Sequence, residues 1–156
     1  MEKSPSTLRV IRALEHAGVQ FEVREFPEGT RTSREAADAL GCGVGQIAKS
    51  IVFSSGSGPV LAIASGSNRI DLTKLEQEVG EAVEMMKPNQ VKELTGFAIG
   101  GVPPVAHFSP MEVFIDRDLL EHDKVWAAAG TPWSVFSITP ADLVKVSGGS
   151  VADIRE

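Results

Sequence analysis

Residues 46–64 constrain the fold more than any other part of the chain. Two apolar runs, 47–53 and 59–64, flank the polar sequence Ser54-Ser55-Gly56-Ser57-Gly58, so the chain must reverse there and the runs must pair as an antiparallel hairpin. Strand alternation places Ile47, Lys49, Ile51 and Phe53 on one face. Lys49 therefore interrupts an apolar face. Its ammonium must snorkel out, meet a carboxylate, or line a cavity that takes an anion, because an unpaired buried charge is very costly. The turn glycines do not form a phosphate cradle: no Lys-Ser/Thr pair follows them and no helix opens there.

Helix and strand signals surround this hairpin without a strict βαβ repeat. Ser4-Pro5 reads as an N-cap and first helical position, Leu8, Ile11 and Leu14 keep one face, and Gly18 stops the helix, predicted over 5–17. Val19, Phe21 and Val23 alternate with polar residues as a half-buried strand, ended by Pro27 and Gly29. Thr32, with Glu35 three residues later, opens a second helix running to Leu40 and Gly41. Asp71 caps a third helix through Leu75 and Val79, residues 82–85 read as a short strand, and Pro88 starts a fourth helix stopped by Gly96. Strands are predicted at 113–115, 125–128 and 133–138, and Thr139-Pro140 begins a final helix over 141–144. The tail from Gly148-Gly149 is expected to be loosely ordered. These elements predict a mixed α+β class, one domain over 1–156, around a central, partly antiparallel sheet.

A net charge of -6 and a pI near 5.1 argue against a surface that grips DNA or long RNA, though not against a pocket for one nucleic-acid end. No apolar run approaches the roughly 18 residues that span a bilayer, and the first residues lead into no signal-peptide core, so a soluble cytoplasmic protein is expected. Cys42 is the single cysteine and reads as a small buried filler; His16, His107 and His122 are scattered, so neither a disulfide nor a metal-ligand spacing is present. No organic cofactor is implied.

Familiar side-chain catalysis is not visible: there is no nucleophile elbow, no HExxH and no GxGxxG after a strand. What remains is Lys49 and the stretch Gly100-Gly101-Val102-Pro103-Pro104, whose paired glycines and prolines forbid a regular helix or central strand. The glycines would let backbone N–H groups approach a ligand while the prolines hold the loop in shape. Each feature has a plainer reading, a solvated lysine and a structural turn. His107 reads as a structural histidine or a base, Arg69 as a surface residue or a phosphate contact, and His122 as solvated. Trp126 and Trp133 read as core rather than as base-stacking platforms.

Several segments occur together in a specific order: Thr32-Ser33-Arg34-Glu35-Ala36-Ala37, residues 46–53 with their lysine, Arg69-Ile70-Asp71-Leu72-Thr73-Lys74-Leu75, Val83-Glu84-Met85, residues 94–104, and Thr139-Pro140-Ala141-Asp142-Leu143. Through this series, spanning most of 6–146, the chain resembles the YbaK / prolyl-tRNA synthetase-associated domain family. The resemblance implies a sheet curved into a barrel-like core flanked by helices, and hydrolysis of the ester of mischarged aminoacyl-tRNA, most simply tRNA(Pro) carrying alanine, cysteine, serine or 2-aminobutyrate. It implies Lys49, Gly100 and Gly101 as the catalytic set, Lys49 contacting the terminal adenosine or its phosphate and the loop backbone orienting the aminoacyl carbonyl. A water held with help from the ribose hydroxyl would attack, which accounts for the missing side-chain nucleophile. Val102, Pro103, Pro104, His107, Gly130 and Thr131 would border the substrate. The tRNA acceptor end is the implied partner, with prolyl-tRNA synthetase as a second.

Two departures from the family pattern bear on substrate choice. Ala129-Gly130-Thr131-Pro132 stands where some members carry a pocket histidine, and the loop continues Val105-Ala106-His107 where others have Gly-Gln. The alternatives are a non-catalytic module that binds an aminoacyl-tRNA end or a synthetase, and a hydrolase for another small ester or amide.

Overall fold

The structure, a computed structural model, describes residues 3–26 and 32–156. The predicted strand end at Pro27 and Gly29 lies outside the described residues. Helix α1 spans Pro5–Ala17, and its Ser4 cap accepts a hydrogen bond from the Thr7 amide at 3.1 Å. Strand β1 is Glu22–Glu25, shifted later than the alternation of Val19, Phe21 and Val23 predicts, because Val19 and Phe21 pack against the core from the connecting segment. Helix α2 is Ser33–Leu40, capped by Thr32. A 3-10 turn over Val44–Gln46 then delivers the chain into β2, Ile47–Ser55, and a tight turn at Gly56-Ser57 returns it as β3, Gly58–Ser65. The hairpin is formed as the apolar runs require.

Helix α3 (Leu72–Val79), strand β4 (Val83–Met85) and helix α4 (Pro88–Thr95) follow. After the glycine-proline loop come β5 (Glu112–Asp116), β6 (Val125–Ala128), β7 (Ser134–Ile138), helix α5 (Pro140–Ser147) and β8 (Ser150–Ala152). The sheet order is β1-β7-β6-β2-β3-β5-β8, with β4 on the β6 side of β2. It is mixed: β2 with β6, β3 with β5, and β5 with β8 run parallel, and the remaining pairs are antiparallel.

Alternation divides the strands between two sets of core. Ala48 and Val52, Leu61 and Ile63, and Phe136 and Ile138 turn to one face and meet Val10 and Leu14 of α1, Val91 of α4 and Leu143 of α5 in one cluster. Side chains from strands that are far apart in the order share this cluster, so the sheet curves around it. On the outer face Phe53, Val60 and Ala62 pack with Leu75 of α3, while Ile47, Trp126 and Val135 pack with Ala36 and Ala37 of α2. Lys49 falls in the gap between these two outer clusters.

Four expectations are corrected. The tail is not loose: β8 pairs with β5, the Glu156 amide donates to Arg69 O at 3.0 Å, and Ile154 is fully buried, an apolar anchor the glycine pair obscures. Trp133 is not core, being 46% exposed, because β7 starts one residue after it. His122 and Cys42 are both half-buried rather than solvated and buried respectively. Among the described residues no helix is long and apolar enough to cross a membrane.

Candidate active site

The parallel pairing of β2 with β6 lasts only two residues, Ile47 with Trp126 and Ala48 with Ala127. Beyond that the strands separate, and β4 takes up the same edge of β2 only from Phe53. The interval leaves a cleft of about 280 Å³ in the sheet. Lys49 enters it from the α2 side, where Thr32 and Ser33 stand, while Gly100 and Val102 of the glycine-proline loop close it from the other side together with Pro132 and Ser134. Residues 51 positions apart in sequence thus line one cavity. A wider, more polar groove of about 640 Å³ continues from it past Lys49, along Ser33, Arg34, Gly66 and Ser67.

The loop is held from behind. Gly101 is buried, and its amide donates to Ala98 O at 2.9 Å within the turn, so that N–H is committed to loop structure. A Cβ on Gly101 would lie 2.7 Å from Thr131 Cα and 2.8 Å from Thr131 C, so only glycine lets the two backbones approach this closely. Gly130 has φ +95, and a Cβ there would meet Ser6 O at 2.7 Å at the start of α1. Gly130 and Thr131, expected at the amino-acid pocket, are therefore buried supports; their neighbours Pro132 and Ser134 reach the cleft. Thr131 Oγ1 and Ser134 Oγ are 2.6 Å apart, and Thr7 Oγ1 joins Ser134 Oγ at 3.2 Å, which fixes this wall to α1.

His107 is likewise set back from the lining of the cleft. Its Nε2 lies 2.6 Å from Pro103 O, closing the loop on itself, and burial holds its pKa below the usual histidine value, with the Arg9 charge adding to the shift and the Pro103 contact opposing it. Pro103 and Pro104 are buried in the same turn. Sequence reasoning missed Arg9. Its guanidinium lies 4.4 Å from the Phe97 ring centroid and 4.1 Å from that of Phe108, and it donates to the carbonyls of Thr95 and Ala106. It therefore ties both ends of the loop to α1, and desolvation lowers its pKa from the usual arginine value. In the sequence it is one polar residue among several on an amphipathic helix, and such a residue reads as surface.

Arg69 is exposed and lies away from the cleft. Trp126 forms part of the cleft floor, with Arg24 and Lys124 each 5.1 Å from its ring. Among the described residues no cluster of histidine, cysteine and carboxylates could hold a metal ion. The cleft can therefore offer one cation, hydroxyl groups and loop backbone to a ligand, a set suited to positioning an anionic, carbonyl-bearing molecule rather than attacking it.

Residues 27–146 match the model of the aminoacyl-tRNA editing domain. The chain is 35% identical over 131 residues to YwhH of Bacillus subtilis (strain 168), covering 83% of each protein. It is 27% identical to the multifunctional Ser/Thr-tRNA deacylase ProXp-y of Escherichia coli (strain K12), covering 94% of this chain and 91% of that one. A solved structure described as a "putative trans-editing enzyme for prolyl tRNA synthetase" superposes with a TM-score of 0.96 at 49% identity, covering 99% of both chains.

Proposed function

Because the chain belongs to the aminoacyl-tRNA editing domain family, it is an aminoacyl-tRNA deacylase, and we propose that it works as a free-standing editing enzyme on tRNA(Pro) carrying a small wrong amino acid. The observation that carries this reading is the meeting of Lys49 with Gly100 and Val102 in one cleft. In the proposed complex the terminal adenosine enters from the wide groove, its phosphate or ribose meets the Lys49 ammonium, and Arg34 lies along the path of the preceding nucleotide.

The ester carbonyl lies against the loop. Gly100 and Val102 face it, whereas Gly101 acts through its close approach to Thr131, since its amide is already used. The attacking group is water oriented by the substrate's ribose hydroxyl. Its proton passes to the ribose oxygen that leaves as the ester C–O bond breaks. The protein supplies position and a polar, fixed environment for the developing oxyanion. The substrate implies a cytoplasmic enzyme acting beside prolyl-tRNA synthetase.

The test is hydrolysis of a panel of mischarged tRNA(Pro) species. Release of amino acid from at least one, with correctly charged prolyl-tRNA(Pro) spared, is expected; no release from any refutes the reading. Tight binding of a non-hydrolysable aminoacyl-adenosine without turnover would replace it with a binding module.

A further inference from the structure

We propose that Asp116 is a positioning residue for the wide groove: its buried carboxylate fixes the turn 65–68, one wall of that groove, so that the nucleotides preceding the terminal adenosine fit; this rests on the deacylase reading above. Asp116 ends β5 and is fully buried, and among the described residues no lysine, arginine or histidine pairs with it. A carboxyl group buried without such a partner is tolerated only when hydrogen bonds satisfy it. N–H groups surround this one: Ser65 N at 3.0 Å and Asn68 Nδ2 at 2.8 Å donate to Oδ2, and Asp118 N at 3.0 Å donates to Oδ1.

Ser65 and Asn68 are the two ends of one turn. The pairing of β3 with β5 stops at Ile63 with Ile115, and two residues later Ser65 N–H meets the Asp116 side chain instead of a main-chain carbonyl. Ser65 O accepts from Asn68 N at 2.9 Å, which closes a four-residue turn with Gly66 and Ser67 at its tip. Asp116 Oδ2 thus grips the turn at its first and last residues. Asn68 Nδ2 also donates to Asp118 Oδ2 at 2.8 Å, and Arg155 Nη1 donates to the same oxygen at 2.7 Å, so the C-terminal segment braces the grip from behind.

The tip of the turn is what a ligand meets. Gly66 and Ser67 line the wide groove with Lys49, Ser33 and Arg34. Gly66 N donates to Ile47 O at 2.7 Å, and a Cβ on Gly66 would lie 2.5 Å from Val44 O and 2.8 Å from Ser33 Cβ. The turn therefore abuts both the start of α2 and the entry to β2 without slack, and its position sets the width of the groove. Neither Asp116 nor Asn68 lines the groove or the cleft, so they act through the turn and not on the ester. Only a carboxylate accepts at both of its oxygens; an amide in its place turns an NH₂ group towards one of the donors.

The experiment uses the full chain, Asp116→Asn, Asn68→Ala and the double variant. Calorimetry measures binding of the trinucleotide CCA, which reaches past the terminal adenosine, and of 3'-alanylamino-adenosine, which does not. Steady-state deacylation of a mischarged tRNA(Pro) that the wild type hydrolyses is measured beside them. Each single variant is expected to weaken CCA binding and raise KM at least about tenfold, with kcat and binding of the adenosine probe within about threefold of wild type. The double variant should lose no more than the worse single one, because the two side chains act through one contact. Loss of kcat and of both binding events together, in step with Tm, is what a merely structural role produces and overturns the assignment. CCA binding within about threefold of wild type in Asn68→Ala also overturns it, and this half-buried site decides the matter should Asp116→Asn not fold. No binding of CCA by the wild type has the same consequence. If the wild type binds CCA but hydrolyses no mischarged tRNA, the deacylase reading falls, and the ratio of the two probes across the variants still decides the role of Asp116.

Discussion

Replacing Gly101 by alanine tests whether the loop is positioned by its contact with residue 131. The added Cβ would sit 2.7 Å from Thr131 Cα, 2.8 Å from C and 2.9 Å from N, all backbone atoms that cannot rotate aside. Carbon contacts relax near about 3.5–4.0 Å, so the two segments must separate by roughly 1 Å. Overpacking of this kind costs about 1–3 kcal/mol, and for a chain of this size each kcal/mol lowers Tm by about 2–4 °C. The expected loss of Tm is therefore about 2–12 °C. The effect on catalysis is larger: Gly100 and Val102 move with the loop, and a 1 Å misplacement of a positioning element can cost about 10²-fold in rate. Steady-state deacylation and a thermal melt on the same preparation measure both. Gly18→Ala is the control, because Gly18 has φ +71 with nothing within 4 Å of a built Cβ, so it should lose about 1 kcal/mol of stability without changing kcat/KM. Activity of Gly101→Ala within about threefold of wild type, with Tm unchanged, would refute the argument from close approach.

Lys49→Ala should lower kcat/KM by about 10²-fold or more with circular dichroism unchanged, and full activity would remove the ammonium from the mechanism. The depressed pKa of His107 means that the unfolded chain binds its proton more readily than the native one. Stability should therefore fall as pH drops through about 6.5 towards the lower native value, and Tm against pH should flatten in His107→Gln. Arg9→Lys should destabilise by about 1–2 kcal/mol, since an ammonium cannot reach two carbonyls while lying against two rings; a melt matching wild type would count against the clamp. Ile154→Ala should cost about 2–5 kcal/mol by urea denaturation, a loss a loosely ordered tail would not produce.

Where the controlling interactions are local, the residues announce the structure. Helix limits followed from Ser4, Thr32, Asp71 and Thr139 as caps and from Gly18, Gly41, Gly80 and Gly96 as stops, because a side-chain oxygen three residues before an amide and a left-handed glycine act within one turn of chain. The misplaced start of β1, the exposure of Trp133 and the ordering of β8 depend on which strand lies alongside, and adjacency in a sheet leaves no local signature.

The same division runs through the site. Lys49 was visible from alternation alone, and the glycine-proline loop from backbone restriction, since both are properties of a few consecutive residues. Their meeting depends on β2 and β6 parting after two paired residues, which opens the cleft. Only the fold could move His107, Gly130 and Thr131 from the expected pocket wall to its support, because a side chain's distance from a cavity is set by packing between elements far apart in sequence.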